Sequence, residues 1–172
     1  MFGLLLTEGA AACFILLMIC VTGIANGPAG MVFFYEKDVQ QRLIGRGTLT
    51  QDQIDRGRRR FLLGGVLPFF IFLLYAVYGI NGARSFLGGF WQLFVLLLIA
   101  GLFDRLFIDE WWVGRTKAWI IPGTEDLMPY IPVQTRNEKW KYTLICCPVI
   151  AAVLSGVMAL IITMCSIVNQ TS

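Results

Sequence analysis

Carboxylates are the main chemical equipment of this chain. Asp104, Asp109 and Glu110 lie close together, and Glu125 and Asp126 follow the Pro122-Gly123 turn. Hard cations take oxygen ligands, so these five could hold Mg²⁺ or a cationic substrate. Their spacing is not the D-x-x-x-D pattern of a prenyl or CDP-alcohol transferase. The competing reading is structural. Arg105 and Asp109 are four apart and pair along one helix face. Asp104 sits at the edge of an apolar run, where a lone carboxylate is costly, and should take Arg105 or the Arg58 to Arg60 group as partner. Glu8 stands apart inside the first apolar run. Intramembrane carboxylates are candidate proton or cation carriers. Against that, a position one turn from a helix start reaches water and suits the helix dipole. The chain has no histidine, which excludes His-ligated haem, His-containing zinc sites and Ser–His or Cys–His pairs. The five cysteines, Cys13, Cys20, Cys146, Cys147 and Cys165, lie in apolar runs without a C-x-x-C pair. They read as small hydrophobes, with S-palmitoylation of Cys146-Cys147 as the alternative in a eukaryotic chain. No catalytic residue, metal ligand set or cofactor is assigned.

The elements that must carry these groups are membrane helices. Of 172 residues, 57% are hydrophobic and only 15% charged, against about 25% charged in soluble domains; mean hydropathy is +0.70. A bilayer accommodates so much apolar surface, and a soluble domain of this size does not. Four apolar runs predict transmembrane helices over about 3–25, 61–80, 86–108 and 143–168, within a single integral membrane domain spanning 1–172. The first has no basic n-region and carries Glu8, so it reads as a retained helix and not a cleaved signal peptide.

Charge fixes the threading. Seven basic residues lie between runs one and two, five lie between runs three and four, and Arg105 stands at the inner end of run three; only Arg84 falls on the other side. The positive-inside rule places loops 36–60 and 109–142 in the cytoplasm and both termini outside. Arg56, Arg58, Arg59 and Arg60 are then lipid-headgroup and topology anchors. Trp111, Trp112, Trp119 and Trp140, with Tyr35 and Tyr142, gather at the inner interface, and Tyr78, Phe90 and Trp91 at the outer one. The expected fold is all-α: a polytopic four-helix bundle under a cytoplasmic cap formed by the two loops.

Local signals shape the cap. Lys37 to Ile44 reads as a short helix with Val39, Leu43 and Ile44 on one side, stopped by Gly45 and Gly47. Thr50 and Gln53 form a capping box that starts a helix running through Arg60 into the membrane. Thr124 reads as the N-cap of a short helix carrying Glu125 and Asp126. Asn26 to Gly30 ends the first helix before an amphipathic surface segment, Met31 to Tyr35; a discontinuous helix that binds an ion is the rival reading. In the last helix, Ala152, Ser155 and Gly156 belong to a small-residue face, suited to close packing inside the bundle or to self-association. Asn169-Gln170-Thr171 matches a glycosylation sequon but lies too near the membrane to be read as one.

Two blocks carry a resemblance: Met31-Val32-Phe33-Phe34-Tyr35-Glu36-Lys37-Asp38-Val39-Gln40, and Trp112 to Trp119 continuing through Pro122-Gly123-Thr124-Glu125-Asp126-Leu127-Met128-Pro129-Tyr130. They resemble an uncharacterised group of small bacterial four-helix integral membrane proteins. That group has Pro where this chain has Glu36, and His where it has Arg115, so any role of that His is lost or changed here. The resemblance implies a bacterial inner membrane and brings no activity with it.

Three functions fit these readings. The favoured one is a non-enzymatic accessory, sensor or interaction subunit. The second is an oligomeric transporter or channel for protons, cations or small solutes, with Glu8 and Asp104 as polar stations. The third is a membrane enzyme using the cap-side carboxylates. The expected partners are the lipid bilayer and a second copy or another membrane protein; the net charge of +3 is too small to favour nucleic acid.

Overall fold

The computed structural model describes residues 2–171, with side chains to Val168; the sequon side chains lie outside the described residues. Helix α1 spans Phe2–Ile24. After a 3-10 segment at Pro28–Phe34 and the short helix α2, Lys37–Gly45, comes α3, continuous over Gln51–Ile80. Helix α4 spans Phe86–Val113 and α5 spans Val133–Thr171. Helices α1, α3, α4 and α5 are long and apolar enough to cross a membrane, so the chain is a multi-pass membrane protein built as a four-helix bundle.

The capping box forms as its residues predict: the Gln53 N–H donates to Thr50 Oγ1, and the Thr50 N–H to Gln53 Oε1. From there α3 runs unbroken past Arg56, Arg58, Arg59 and Arg60, all exposed. Its first apolar turn widens into a π-helix at Leu62–Val66, just before Pro68. Proline has no N–H and its ring crowds the carbonyl four residues back, so a wider turn relieves the clash. Gly47, at φ +70°, follows α2 and turns the chain where an L side chain is strained.

Two cores result. In the bundle, Ala12, Leu73, Val77, Leu93, Leu96 and Ala151 are fully enclosed. Helix α4 is central, packing on α1 and α5, while α1 also packs on α3. Ser155 is buried against α4, where its hydroxyl donates to the Phe86 carbonyl at 2.6 Å and accepts from Tyr78 Oη at 3.1 Å. The small-residue face is therefore used inside the bundle at Ala151 and Ser155, with Ala152 and Gly156 half-buried beside them. The cap has its own core, in which Val32, Val39, Leu43, Ile54, Trp119 and Ile121 meet Ile108 of α4.

Several expectations change. Trp119, read as a headgroup anchor, is only 4% exposed. It packs edge-on against the half-buried Trp112 at 5.3 Å, because the loop folds inward over α4 instead of lying on the membrane surface. Trp111 is exposed and Trp140 half-buried. Tyr35 and Tyr78 are likewise buried: Tyr35 Oη donates to the Trp119 carbonyl at 2.6 Å, and Tyr78 Oη reaches Ser155. Met31 and Val32, taken for a surface segment, are cap core, and Ile44 turns outward. Helix α4 continues to Val113 and α5 begins at Val133, so both helices extend into the 109–142 segment. Thr124 caps nothing. It is fully buried, donates to the Ile121 carbonyl at 2.9 Å, and precedes a single 3-10 turn, Glu125–Leu127.

Candidate functional site

The carboxylates separate into distinct places. On α4, whose lower end is a π-helix at Asp104–Val113, Arg105 lies between Asp104 and Asp109 and donates to both. Lys139 of α5 completes the group, its Nζ 3.0 Å from Asp109 Oδ1. This realises the predicted Arg105–Asp109 pair and gives Asp104 the nearer of its two expected partners. One residue along, Glu110 pairs with Arg136 of α5 at 3.2 Å. Two successive ion pairs thus clamp α5 to α4 at the cap end.

Glu125 and Asp126 belong to the cap alone. Asp126 takes a two-pronged hydrogen bond from Arg42 of α2, each contact 3.0 Å. That guanidinium holds the Asp126 carboxyl below its ordinary range and is itself raised by the pairing. Hydrogen bonds from its own N–H and that of Gly123 lower Glu125, while Arg46 donates to the Gly123 carbonyl at 2.6 Å. Burial, followed by the neighbouring Tyr130, raises the Tyr35 phenol. The five carboxylates therefore do not converge, and no group of three or more acidic or cysteine side chains that could hold a metal ion occurs among the described residues.

Asp104 and Asp109 frame a cavity. A space of about 160 Å³ lies at the seam of bundle and cap, lined by Cys20, Asp104, Arg105, Asp109, Lys139 and, from the cap, Tyr35, Trp119 and Tyr130. Its two carboxylates balance its two cations. Among the buried polar atoms without a partner are Arg105 Nε and Trp119 Nε1, both N–H donors on lining residues. Such a space accommodates a few waters or a small acceptor group.

Glu8 is elsewhere. Cys20 lines the cavity and Glu8 lies twelve residues back along α1, about 18 Å at the helical rise of ~1.5 Å per residue. Glu8 is 6% exposed and accepts a 2.9 Å hydrogen bond from Asn81 Nδ2. The two proposed polar stations are thus separate sites.

Sequence reasoning missed Lys139, Trp119 and Tyr130 as cavity residues, and Asn81 as the partner of Glu8. The spacing Arg136-x-x-Lys139 on a helix was the available signal for the clamp; nothing local announces the inward fold of Trp119. No protein-family model, curated protein or solved structure matches the chain.

Proposed function

We propose that this chain is a non-enzymatic component of a bacterial inner membrane, a sensor or interaction subunit whose cap faces the cytoplasm. One observation supports it above others: Asp104, Asp109, Glu110 and Asp126 are all taken up by ion pairs. Four of the groups that an enzyme would need free instead fasten the cap and the helix ends beneath it. The orientation follows from thirteen of fourteen basic residues lying at the cap end, and the bacterial assignment from the resemblance of the Met31–Gln40 and Trp112–Tyr130 blocks. Photo-crosslinkers at the exposed cap positions Ile44 and Lys117 in native membranes should give one discrete protein adduct. Adducts with lipid alone at both positions would remove the reading.

A second reading, an oligomeric transporter or channel, is favoured by Glu8, a carboxylate enclosed in a membrane helix. It requires cation or proton flux through reconstituted protein that disappears in Glu8→Gln.

A further inference from the structure

Three cavities adjoin on the flank where α1 meets α3, at the cap end of the bundle. One, about 510 Å³, lies between Ile19 of α1 and Arg60 and Gly64 of α3. Another, about 370 Å³, lies between the 3-10 segment and α3, with Arg56 and Arg60 on its wall. The third, about 570 Å³, follows α3 along Arg56, Arg59, Arg60, Leu63 and Gly64. Arg60 borders all three, which makes them one continuous groove.

The groove changes character along its length. Arg56 and Arg60 are four apart and share one face of α3, with Arg59 beside them. No aspartate or glutamate lines any of the three cavities. Asp52 takes Arg56 at 2.8 Å on the exposed surface, and no carboxylate pairs with Arg59 or Arg60 among the described residues. Within about one helical turn of Arg60 the lining becomes apolar, at Leu63, Gly64 and Ile19. Gly64 keeps the groove open, since a Cβ there would meet nothing within 4 Å. The helices close together one residue later, where a Cβ on Gly65 would come 2.8 Å from Ile19. An unbalanced cationic mouth thus leads into an apolar trough at the start of a membrane span, whereas the cavity under the cap is balanced.

We propose that this groove holds one anionic phospholipid of the cap-side leaflet, with its phosphate on Arg56, Arg59 and Arg60 and the first part of an acyl chain over Gly64. Guanidinium groups fork their N–H donors onto phosphate oxygens, and an anionic headgroup supplies the charge missing from this wall. A soluble anion would satisfy the arginines and leave the trough empty; a lipid fills both ends. The site lies on the flank of the bundle, so the proposal stands whether the chain is an interaction subunit or a transporter.

Delipidated full-length protein in a non-ionic detergent is titrated with phosphatidylglycerol or with phosphatidylcholine of the same acyl chains, and bound lipid is counted by native mass spectrometry. One phosphatidylglycerol should bind at least about tenfold more tightly than phosphatidylcholine. Arg60→Gln should weaken that first binding event about tenfold, the loss of one charged hydrogen-bonding partner. Arg58→Gln removes the same charge from a residue that lines none of the three cavities and should change it less than twofold. Gly64→Leu keeps every charge and fills open space, and it should also weaken binding about tenfold. Circular dichroism and a single elution peak check that the variants fold. Equal affinity for the two lipids overturns the proposal, and so does an equal loss in Arg58→Gln and Arg60→Gln, the mark of diffuse attraction. Displacement of the lipid by millimolar inorganic phosphate, with Gly64→Leu unaffected, overturns it in favour of a soluble-anion site. A dimer that dissociates in Gly64→Leu and shows no lipid preference assigns the groove to a second copy and likewise overturns it.

Discussion

Asp109→Ala should be among the costliest single changes at the cap end. Its carboxylate is 12% exposed and receives both Arg105, at 15%, and Lys139, at 29%. Removing one partner of a buried ion pair typically costs about 3–5 kcal/mol, because the remaining charge is stranded. Two features lower that here: Arg105 keeps Asp104, and Lys139 has a path to water. The expected loss is about 2–3 kcal/mol. The control is Asp52→Ala on α3, whose pair with Arg56 is 70% and 57% exposed and should be worth about 0.3–0.5 kcal/mol. Reversible unfolding in mixed detergent micelles containing increasing SDS reads both. The double change Asp109→Leu with Lys139→Met removes both charges and fills the space with apolar volume, so it should recover much of the loss. An Asp109→Ala variant no less stable than Asp52→Ala would refute the argument, since the network would then be screened like any surface pair.

Two other outcomes follow from local geometry. Gly89→Ala puts a methyl group 2.7 Å from Ser155 Oγ and against Tyr78 Oη, whereas Gly64→Ala meets nothing within 4 Å. The first should lose roughly 1–3 kcal/mol by overpacking and the second should be neutral or slightly stabilising, measured in the same unfolding assay. Asp126 and Glu125 are both held below the ordinary carboxylate range. Their contribution is therefore complete above the unfolded value of about 4 and is lost as pH falls through the lower folded value. Acidification below about pH 4 should lower the amide protection factors of the 120–128 segment, taken against intrinsic exchange at the same pH, and Asp126→Asn should show that lower protection already at neutral pH.

Much of this architecture is legible because it depends on short-range or one-dimensional rules. Apolar run length gives four spans, the Thr50–Gln53 pair gives the start of α3, and the four-residue spacing gives Arg105–Asp109. The failures share one cause. Residue type alone suggests interface aromatics at Trp119 and Tyr35 and a helix cap at Thr124, but each is placed by a loop that folds back on its neighbours. An aromatic side chain that suits a headgroup region suits a cap core equally well, and only the fold decides. The same limit hid Asn81, an unremarkable turn residue until α1 brings Glu8 beside it. The two sites therefore differ in what they demand. At the cap end Asp104 and Asp109 share Arg105 and Lys139, so the cavity they line is electrically balanced. At the far end Glu8 forms no ion pair among the described residues and accepts a hydrogen bond from Asn81.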